Sequence, residues 1–487
     1  MTRLSLSTLD GVPAAARPVL DPRSLRVGIV HLGLGAFHRA HQAAFTEDAT
    51  AATGDTGWGI CGVTQRSAAV VDQLAPQDGL YTLLERGSGA APARVIGGIR
   101  EVRYAGHDPA GVTARIADPA VRIVTLTVTE KGYRRDRYGR LDRADETVRA
   151  DLAGAGPGSV VGQLVRGLQR RAAAGGAPLT VLCCDNLIGN GDALRELVRD
   201  FCAALPGRAG ESLVDWIGTA VRFPNSMVDR ITPASTAADQ AEVSRQLGRT
   251  DAGLVVTEPF RQWVLTDDFG TDRPAWERAG VLLVPDVAPY EKAKLRLLNA
   301  AHSLLAYSGA LAGYDLISAA VADESLVGPA RALMAQDAAP TLDLPPGFDL
   351  PAYQDEVIER FGNPALRHRT VQIAMDGSQK LPIRVLGTVR DRLAAGAEPR
   401  WATRAVAAWM VYVGVRSDRM GRPLPVDDPL AATLAARAGT VPSAPALVDA
   451  LLPVAEVFGP DLAESATFRG LLVPQVAEFL ATVQPGR

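Results

Sequence analysis

Short, almost continuously apolar runs recur through the first half of this 487-residue chain, separated by intervals long enough for a helix. The four clearest runs are residues 26–32, 57–63, 121–128 and 179–184. A strand that is apolar on both faces has to be covered on both faces, which is typical of parallel sheets. The pattern therefore predicts an α/β fold with a doubly wound parallel sheet, and residues 254–256 and 281–284 are further strand candidates.

The second half of the chain has a different pattern. Residues 291–313, 317–337 and 402–415 show helical periodicity, and strand patterns become rare after Pro289. A Pro- and Gly-rich stretch at 339–351 predicts a loop within this region. We therefore expect two domains: an α/β domain over residues 1–287 and a mostly α-helical domain over residues 288–487.

Charge and hydropathy limit the class of protein. The formal net charge of −3 argues against a surface for nucleic acid or anionic membrane, which needs clustered Lys and Arg. The N-terminus lacks the apolar block of a secretory signal, and no apolar stretch approaches the ~18 residues of a membrane span. We expect a cytoplasmic protein with a small-molecule partner; the sequence does not indicate an oligomeric state.

Neither the cysteines nor the histidines predict a metal site. Cys183 and Cys184 are adjacent, so on a strand they point to opposite faces, and no two cysteines have CxxC spacing. Buried free thiols are the simpler interpretation, also for Cys61 and Cys202. His38 and His41 have the spacing of two ligands on a helix, but no third ligand accompanies them, so we expect no bound metal.

A glycine turn follows the first predicted strand and opens a helix. Gly33 and Gly35 occupy the first two positions of G-x-G-x-x-G, and His38 stands at the third. Because two glycines permit a tight turn and close approach to a pyrophosphate, nucleotide binding is favoured over a plain turn. No acidic residue for a ribose hydroxyl follows the second strand. Residues 64–67 are Thr-Gln-Arg-Ser, and Arg66 suits a 2′-phosphate, so the choice between NAD and NADP stays open.

Lys294 lies on the apolar side of a predicted helix over residues 290–305, whereas Lys292 and Arg296 fall on the opposite side. This position is costly for an ammonium group, and burial lowers a lysine pKa until the amine takes a proton near neutral pH. His302 lies two turns farther on and Asn299 farther round the helix, so all three can border one pocket, where an amide can stabilise a developing alkoxide. The alternatives are a lysine that reaches water, a capping asparagine and a packed core histidine.

Residues 185–191 form a second polar cluster, at the end of the fourth apolar run, and include Asn190. Ligands of doubly wound sheets bind at the carboxyl ends of the strands, which makes this cluster a candidate binding segment. Asp-Asn and Asn-Gly pairs also form ordinary turns, so the residues alone leave both interpretations open.

Six motifs, in order along nearly the whole chain, resemble the mannitol dehydrogenase family of polyol-specific dehydrogenases. They are GLGAFHRAH at 33–41, TVTEKGY at 127–133, CDNL at 184–187 with Asn190-Gly191, PNSMVDRITP at 224–233, TEPF at 257–260, and the Lys294, Asn299 and His302 spacing K-x4-N-x2-H. The resemblance implies a Rossmann-type N-terminal domain, a helical C-terminal domain with a cleft between the two, and metal-independent oxidation and reduction with NAD or NADP.

The resemblance also implies roles for the matched residues. Lys294 is expected to be the general acid–base group, Asn190 and Asn299 to form the oxyanion site, and His302 to orient substrate hydroxyls. Asp229 is expected to lie near the substrate and Glu291 on a proton path beside the lysine. The residues expected to bind the cofactor are Gly33, Gly35, Phe37, His38, Arg66 and Glu130.

Residues 363–382 are most similar to the fructuronate reductase branch of this family. Four cations lie in or just after this stretch, Arg367, Arg369, Lys380 and Arg384. We expect Lys380 and Arg369 to bind the substrate; a solvated helix face is the alternative for all except Lys380. The activity that we expect is reduction of fructuronate to mannonate. The second candidate activity is that of a mannitol 2-dehydrogenase, and the more distant ones are those of an arabinitol or a mannitol 1-phosphate dehydrogenase. A non-catalytic sugar or redox sensor and an oxidative decarboxylase stay open as other classes.

Overall fold

Two units make up the chain in the computed structural model, which describes residues 1–87, 89, 92–136, 138–344, 347–439 and 443–483. They are Met1–Ala288 and Pro289–Arg487. All strands of the described residues belong to the first unit, and the second unit is built from helices. The predicted loop at 339–351 lies partly outside the described residues, and the helix after it begins at Leu350.

Twelve strands are present in the described part of the first unit. They are β1 (Val27–Leu32), β2 (Gly59–Thr64), β3 (Tyr81–Glu85), β4 (Arg94–Ile96), β5 (Ile99–Tyr104), β6 (Ile123–Leu126), β7 (Leu179–Cys183), β8 (Val221–Arg222), β9 (Ser226–Asp229), β10 (Val255–Thr257), β11 (Gln262–Thr266) and β12 (Leu282–Val284). Six of them form one sheet in the order β5-β2-β1-β6-β7-β8, and every pairing in that sheet is parallel. The four apolar runs supply its four central strands, so the predicted α/β fold is confirmed.

Helices alternate with these strands. In the first unit they are α1 (Ala36–Ala40), α2 (Gln42–Thr53), α3 (Ala69–Leu74), α4 (Pro109–Ala117), α5 (Glu146–Leu152), α6 (Val160–Ala173), α7 (Asn190–Ala203), α8 (Ala209–Ala220) and α9 (Ala237–Leu247). Val30 and Leu32 of β1 pack with residues of α4, α6 and α7, whereas Ile29 packs on the opposite face with Phe45 of α2 and Trp263 of β11. Both faces of the sheet are therefore covered, as the near-continuous apolar strands require.

The later strand candidates form two small sheets of their own. Residues 254–256 correspond to β10, which pairs with β3 in the sheet β10-β3-β4. Residues 281–284 correspond to β12, which joins β11 and β9. The second of these sheets contributes Trp263 to one face of the parallel sheet, so that face is covered by strands as well as by a helix.

The second unit is helical, as its periodicity predicts. Its helices are α10 (Ala288–Lys294), α11 (Ala300–Leu311), α12 (Ile317–Val321), α13 (Glu324–Ala332), α14 (Leu350–Gly362), α15 (Thr370–Ile373), α16 (Gly377–Leu381), α17 (Gly387–Ala394), α18 (Arg400–Val415), α19 (Ala431–Ala438), α20 (Ala444–Leu451), α21 (Ala455–Ala463) and α22 (Ala466–Val483). Helix α11 is buried along its whole length and forms the centre of this core. Within the described ranges, no helix is both long and apolar enough to cross a membrane.

Three π-helical turns interrupt these helices, at Leu295–Asn299, Leu333–Ala338 and Pro382–Leu386. In a π turn, each hydrogen bond spans five residues instead of four. Such turns are rare in proteins overall, but those that occur are often at functional sites. The sequence prediction of a regular helix over 290–305 is therefore wrong at residues 295–299. Pro382 explains one of the other turns, because it lacks the N–H that a regular α-helix would use.

Glu47 of α2 binds the turn between β4 and β5. One of its carboxylate oxygens accepts hydrogen bonds from the backbone N–H groups of Gly97 (2.6 Å) and Gly98 (2.9 Å). Burial raises the pKa of the Glu47 carboxyl from its ordinary 4.5 to about 7, against the opposing effects of Arg94 and these two hydrogen bonds. The folded protein therefore holds a proton that the unfolded chain releases at lower pH.

We predict that this carboxyl makes stability decrease as the pH rises. Because the folded-state pKa lies above the unfolded value, the contribution is present below pH 4.5 and is lost as the pH passes through about 7. Glu47→Gln keeps an acceptor for both N–H groups but does not titrate. The thermal midpoint of the wild type should therefore fall more than that of the variant between pH 5 and pH 8, and parallel midpoints would contradict the assignment.

Candidate active site

The carboxyl edge of the parallel sheet carries the candidate residues of the first unit. Strands β1 and β6 are neighbours, although β1 leads on to β2 on its other side, so the order of strands reverses here. The loops that follow β1 and β6 contain the glycine turn and Thr127–Glu130, respectively. In doubly wound sheets, ligands bind in the crevice at such a reversal.

Gly33 and Gly35 have different structural requirements. Gly33 has φ +106°, and a Cβ atom at this residue would lie 2.0 Å from the carbonyl oxygen of Thr127. Gly35 precedes α1, and the nearest atom to a Cβ there would be the Gly33 carbonyl oxygen at 3.7 Å. Gly33 is therefore required by the fold, whereas the space beside Gly35 remains open to a ligand.

His31 forms a hydrogen-bond network directly under this turn. The Thr127 hydroxyl donates to the Gly33 carbonyl oxygen (3.0 Å), so it has to accept from His31 Nε2 (3.0 Å). His31 Nδ1 then accepts from the Thr125 hydroxyl (2.8 Å), which fixes the tautomer of the imidazole. Burial lowers the pKa of His31 to about 3, so the ring stays neutral and holds the turn against β6.

His38 packs inside the unit rather than at its surface. Its ring stacks on that of His31 with a centroid distance of 3.3 Å, and burial lowers its pKa well below the ordinary value. His38 therefore packs under the turn as a neutral ring, and its contact with the cofactor stays a prediction. His41 Nε2 lies 2.8 Å from the carbonyl oxygen of Gln262, and the described residues contain no cluster of three metal-ligating side chains.

Three other residues expected to bind a cofactor lie around the turn or along the same edge. Phe37 is half-buried and stacks on His41 with a centroid distance of 5.1 Å. Arg66 is exposed after β2 and donates to the Thr129 hydroxyl (3.2 Å), and Glu130 is exposed next to Thr129. The loops after β2 and β6 are thus linked.

Asp185 and Asn190 hold the ends of three strands together. The Asp185 carboxylate accepts from the N–H groups of Val128 (2.9 Å) and Thr129 (3.0 Å) and from the Tyr133 hydroxyl (2.6 Å). The Asn190 amide donates to the carbonyl oxygens of Asp185 (3.0 Å) and Ser226 (2.8 Å) and accepts from Ser226 N–H (2.9 Å). Both amide hydrogens are in use, so the oxyanion role of Asn190 stays a prediction that requires one of these bonds to be exchanged.

Asp229 ends β9, which belongs to the small sheet β12-β11-β9. It is buried and lies opposite Gln262 in the antiparallel pairing of β9 with β11. Asn190 fixes the start of this strand through Ser226, so Asn190 and Asp229 are positioned by one short strand.

In the second unit, Lys294 ends α10 directly before the π turn Leu295–Asn299. Its side chain is only 7% exposed, as the apolar periodicity predicts. Lys292 and Arg296 lie toward Asp391, with nitrogen–oxygen distances of 3.9 and 2.5 Å, so these two cations do face away from Lys294. Glu291 is half-buried in the preceding turn.

The π turn changes which side chains share a face with the lysine. On a regular α-helix, residues 294 and 299 lie about 140° apart around the axis. In a π turn, residues five apart are hydrogen-bonded neighbours, and Ala300 N–H indeed donates to the carbonyl oxygen of Leu295. Asn299 therefore moves toward the face of Lys294. Its amide is half-exposed and forms no hydrogen bond with another described residue.

His302 follows in the first turn of α11. It is 8% exposed, its Nε2 has no hydrogen-bond partner among the described residues, and its ring stacks on Phe361 with a centroid distance of 4.5 Å. Burial, and after it the basic side chains of His368 and Arg384, lower the pKa of His302 well below its ordinary value. A neutral imidazole with an unused nitrogen is suited to a substrate hydroxyl.

The four cations of residues 367–384 differ in exposure and in contacts. Arg367 and Arg369 are exposed, and Arg369 precedes α15. Lys380 is half-buried, with its ammonium 3.3 Å from the carbonyl oxygen of Ile373, and Arg384 donates to the Ser303 hydroxyl (3.3 Å) beside His302. Arg384 therefore reaches α11, whereas Arg369 is exposed and its contact with the substrate stays a prediction.

Sequence reasoning missed three residues of this region, Ser303, Arg360 and His368. Arg360 is buried near the end of α14, and the ring of His368 lies 5.7 Å from that of His302. Their positions depend on how α14 and the segment after it pack on α11, for which neither spacing nor periodicity gives a signal.

Comparison with known families gives the relationship of the chain. Residues 27–278 match the mannitol dehydrogenase Rossmann domain, and residues 286–480 match the mannitol dehydrogenase C-terminal domain. The chain belongs to the mannitol dehydrogenase family. The resemblance of the six motifs is thus confirmed, and the protein is an oxidoreductase.

Individual members of the mannitol dehydrogenase family are similar over almost the full length. D-mannonate oxidoreductase of Escherichia coli is 42% identical over 95% of both chains, and mannitol 2-dehydrogenase of Pyrenophora tritici-repentis is 38% identical over 96% of this chain and 82% of its own. A solved ternary complex of Pseudomonas fluorescens mannitol 2-dehydrogenase with NAD and D-mannitol superposes with a TM-score of 0.89 at 36% identity over 99% of both chains.

The two glycines of the turn provide a matched pair of variants. We predict that Gly33→Ala lowers the thermal midpoint, because its Cβ would overlap the Thr127 carbonyl oxygen. Gly35→Ala has room for its methyl group and should leave the midpoint close to that of the wild type, while NADH binding weakens by on the order of tenfold or more. Equal effects of the two variants on the midpoint, or unchanged NADH affinity in Gly35→Ala, would contradict this reading of the turn.

Proposed function

We propose that the protein is an NAD(P)-dependent oxidoreductase that interconverts a ketose-type carbonyl and the corresponding hydroxyl, with Lys294 as the general acid–base group. The observation that carries the proposal is the burial of Lys294 directly before the π turn that ends in Asn299. Burying a lysine costs free energy unless the group has a partner or a function. The side chains that follow, an amide and a neutral imidazole, are those that a reacting oxygen and its neighbouring hydroxyls require.

The proton transfers of this reaction follow from the residues of the second unit. In reduction, the ammonium group of Lys294 donates a proton to the oxygen of the carbonyl as it becomes a hydroxyl; in oxidation, the neutral amine removes that proton. The Asn299 amide donates a hydrogen bond to the same oxygen while negative charge develops on it. His302 binds a neighbouring hydroxyl through Nε2. Bound NAD(H) or NADP(H) supplies the hydride acceptor or donor.

The glycine turn of the first unit fits a dinucleotide. The open space at Gly35 admits a pyrophosphate, while Gly33 and the His31 network keep the turn in place. The relative solved with NAD supports NAD as the cofactor. Arg66 is exposed, and no carboxylate follows β2 at 64–67, which supports acceptance of the 2′-phosphate of NADP as well.

We propose fructuronate, reduced to mannonate, as the substrate. The identity of 42% to D-mannonate oxidoreductase and the basic side chains of Lys380 and Arg384 near the catalytic helix support a substrate with a carboxylate. The second candidate is the mannitol 2-dehydrogenase reaction, which the similarity to the Pseudomonas fluorescens enzyme favours.

The role of Lys294 is tested by a pair of lysine variants. We predict that Lys294→Ala lowers kcat by about 10²- to 10⁴-fold while NADH still binds, because a positioned acid–base group contributes that much. Lys292→Ala removes a neighbouring lysine that lies toward Asp391 and should keep nearly full activity. Comparable activity of the two variants would refute the catalytic assignment.

The substrate is tested with one panel of fructuronate, fructose and xylulose, each with NADH and with NADPH. We predict a much higher kcat/KM for fructuronate than for fructose, because only fructuronate carries a carboxylate for the basic side chains. Equal values, or a preference for fructose, would reject fructuronate and favour the mannitol 2-dehydrogenase reaction.

A further inference from the structure

Arg384 is linked to α11, and to the π turn before it, through a short chain of hydrogen bonds. Its guanidinium donates to the Ser303 hydroxyl (3.3 Å), and Ser303 donates to the carbonyl oxygen of Asn299 (3.0 Å). Arg384 lies on the π turn Pro382–Leu386, and Asn299 ends the π turn Leu295–Asn299. An arginine on one irregular turn is therefore held beside the residues of another.

His302 lies at the centre of a basic surrounding. Its ring is in contact range of His368, with 5.7 Å between centroids and 28° between planes, and Phe361 stacks on it as well. After burial, the four charges that most affect the pKa of His302 come from His368, Arg384, Lys380 and Arg360, and all four lower it. Basic side chains therefore lie close to this imidazole.

The two histidines are neutral donors and acceptors in this environment rather than cations. Burial lowers the pKa of His368 to about 4, and that of His302 also lies well below its ordinary value. At neutral pH the positive charge therefore comes from the guanidinium groups and Lys380. The orphaned Nε2 of His302 adds a buried polar atom that no described residue satisfies.

We propose that Arg384 and His368, which lie beside Ser303 and His302, form a subsite for the carboxylate of a sugar acid and determine specificity for acids over neutral polyols. The inference rests on the proposed oxidoreductase function and names its substrate class. A guanidinium can bind a carboxylate through two parallel hydrogen bonds, and His302 Nε2 stays available for a substrate hydroxyl. Arg384 is the guanidinium of this subsite, and its contact with Ser303 places it beside α11.

The proposal is tested with Arg384→Gln and the substrates fructuronate, fructose and fructose 6-phosphate. We expect kcat/KM for fructuronate to fall on the order of 10- to 100-fold, as for other charge-assisted hydrogen bonds, while the value for fructose changes little. Arg331→Gln is the control, since Arg331 forms an exposed ion pair with Asp355 elsewhere in the same unit. It should leave both values unchanged.

The other outcomes are distinguishable. If the wild type reduces fructuronate but Arg384→Gln affects fructuronate and fructose equally, the subsite is wrong and the proposed function stands. If Arg384→Gln lowers kcat/KM most for fructose 6-phosphate, the anion bound there is a phosphate and the carboxylate assignment is overturned. If the wild type reduces none of the three with either cofactor, the proposed function itself fails.

A second variant distinguishes a loss of substrate binding from a failure to fold. Arg384→Lys keeps the charge but not the two parallel donors, so we expect an intermediate loss with fructuronate, expressed mainly in KM. The role of Arg384 would be overturned if Arg384→Lys has unchanged kinetics with fructuronate and if folded Arg384→Gln shows no selective loss of kcat/KM for fructuronate.

Discussion

A buried lysine is the feature on which the rest of the second unit depends. An ammonium group is among the most costly groups to remove from water, so a chain keeps one in its interior only where surrounding groups or a reaction require it. Lys294 ends α10 with 7% of its surface exposed. The neighbouring Lys292 and Arg296 carry the solvent-facing charge of the same helix toward Asp391.

The π turn after Lys294 determines which polar side chains lie near the buried amine. By adding one residue to the turn, it moves Asn299 toward the face of the lysine and keeps His302 close to the same side. A second π turn, at Pro382–Leu386, positions Arg384 on Ser303. Irregular backbone thus places the polar groups, while the regular helix α11 supplies the rigid core beneath them.

In the first unit, the corresponding rigidity comes from polar groups that connect the strand ends. His31 and Thr127 hold Gly33, and Asp185 joins the loop after β6 to the end of β7. Asn190 continues this connection to β9 through Ser226. The carboxyl edge of the sheet is therefore preorganised, which is what binding of a dinucleotide and of a reacting oxygen requires.

Local patterns predicted what depends on local physics. The four apolar strands, the turn at Gly33 and the burial of Lys294 each follow from residue spacing, because strand pleat and helix pitch set which side chains face the core. The pairing of β10 and β12 in separate sheets was not predictable, since strand partners depend on contacts distant in sequence. The π turn at 295–299 leaves the apolar pattern nearly unchanged, and the burial of His38 and the exposure of Arg369 depend on tertiary packing.

In the proposed reaction, the Lys294 amine exchanges a proton with the reacting oxygen of the substrate. The most direct measurement is a crystal structure of the protein with NAD and mannonate, which gives the distance from Lys294 Nζ to the hydroxyl oxygen at the reacting carbon. We expect a hydrogen bond of about 3 Å between these two atoms. An amine directed away from that oxygen, with another side chain or a water molecule in its place, would contradict it.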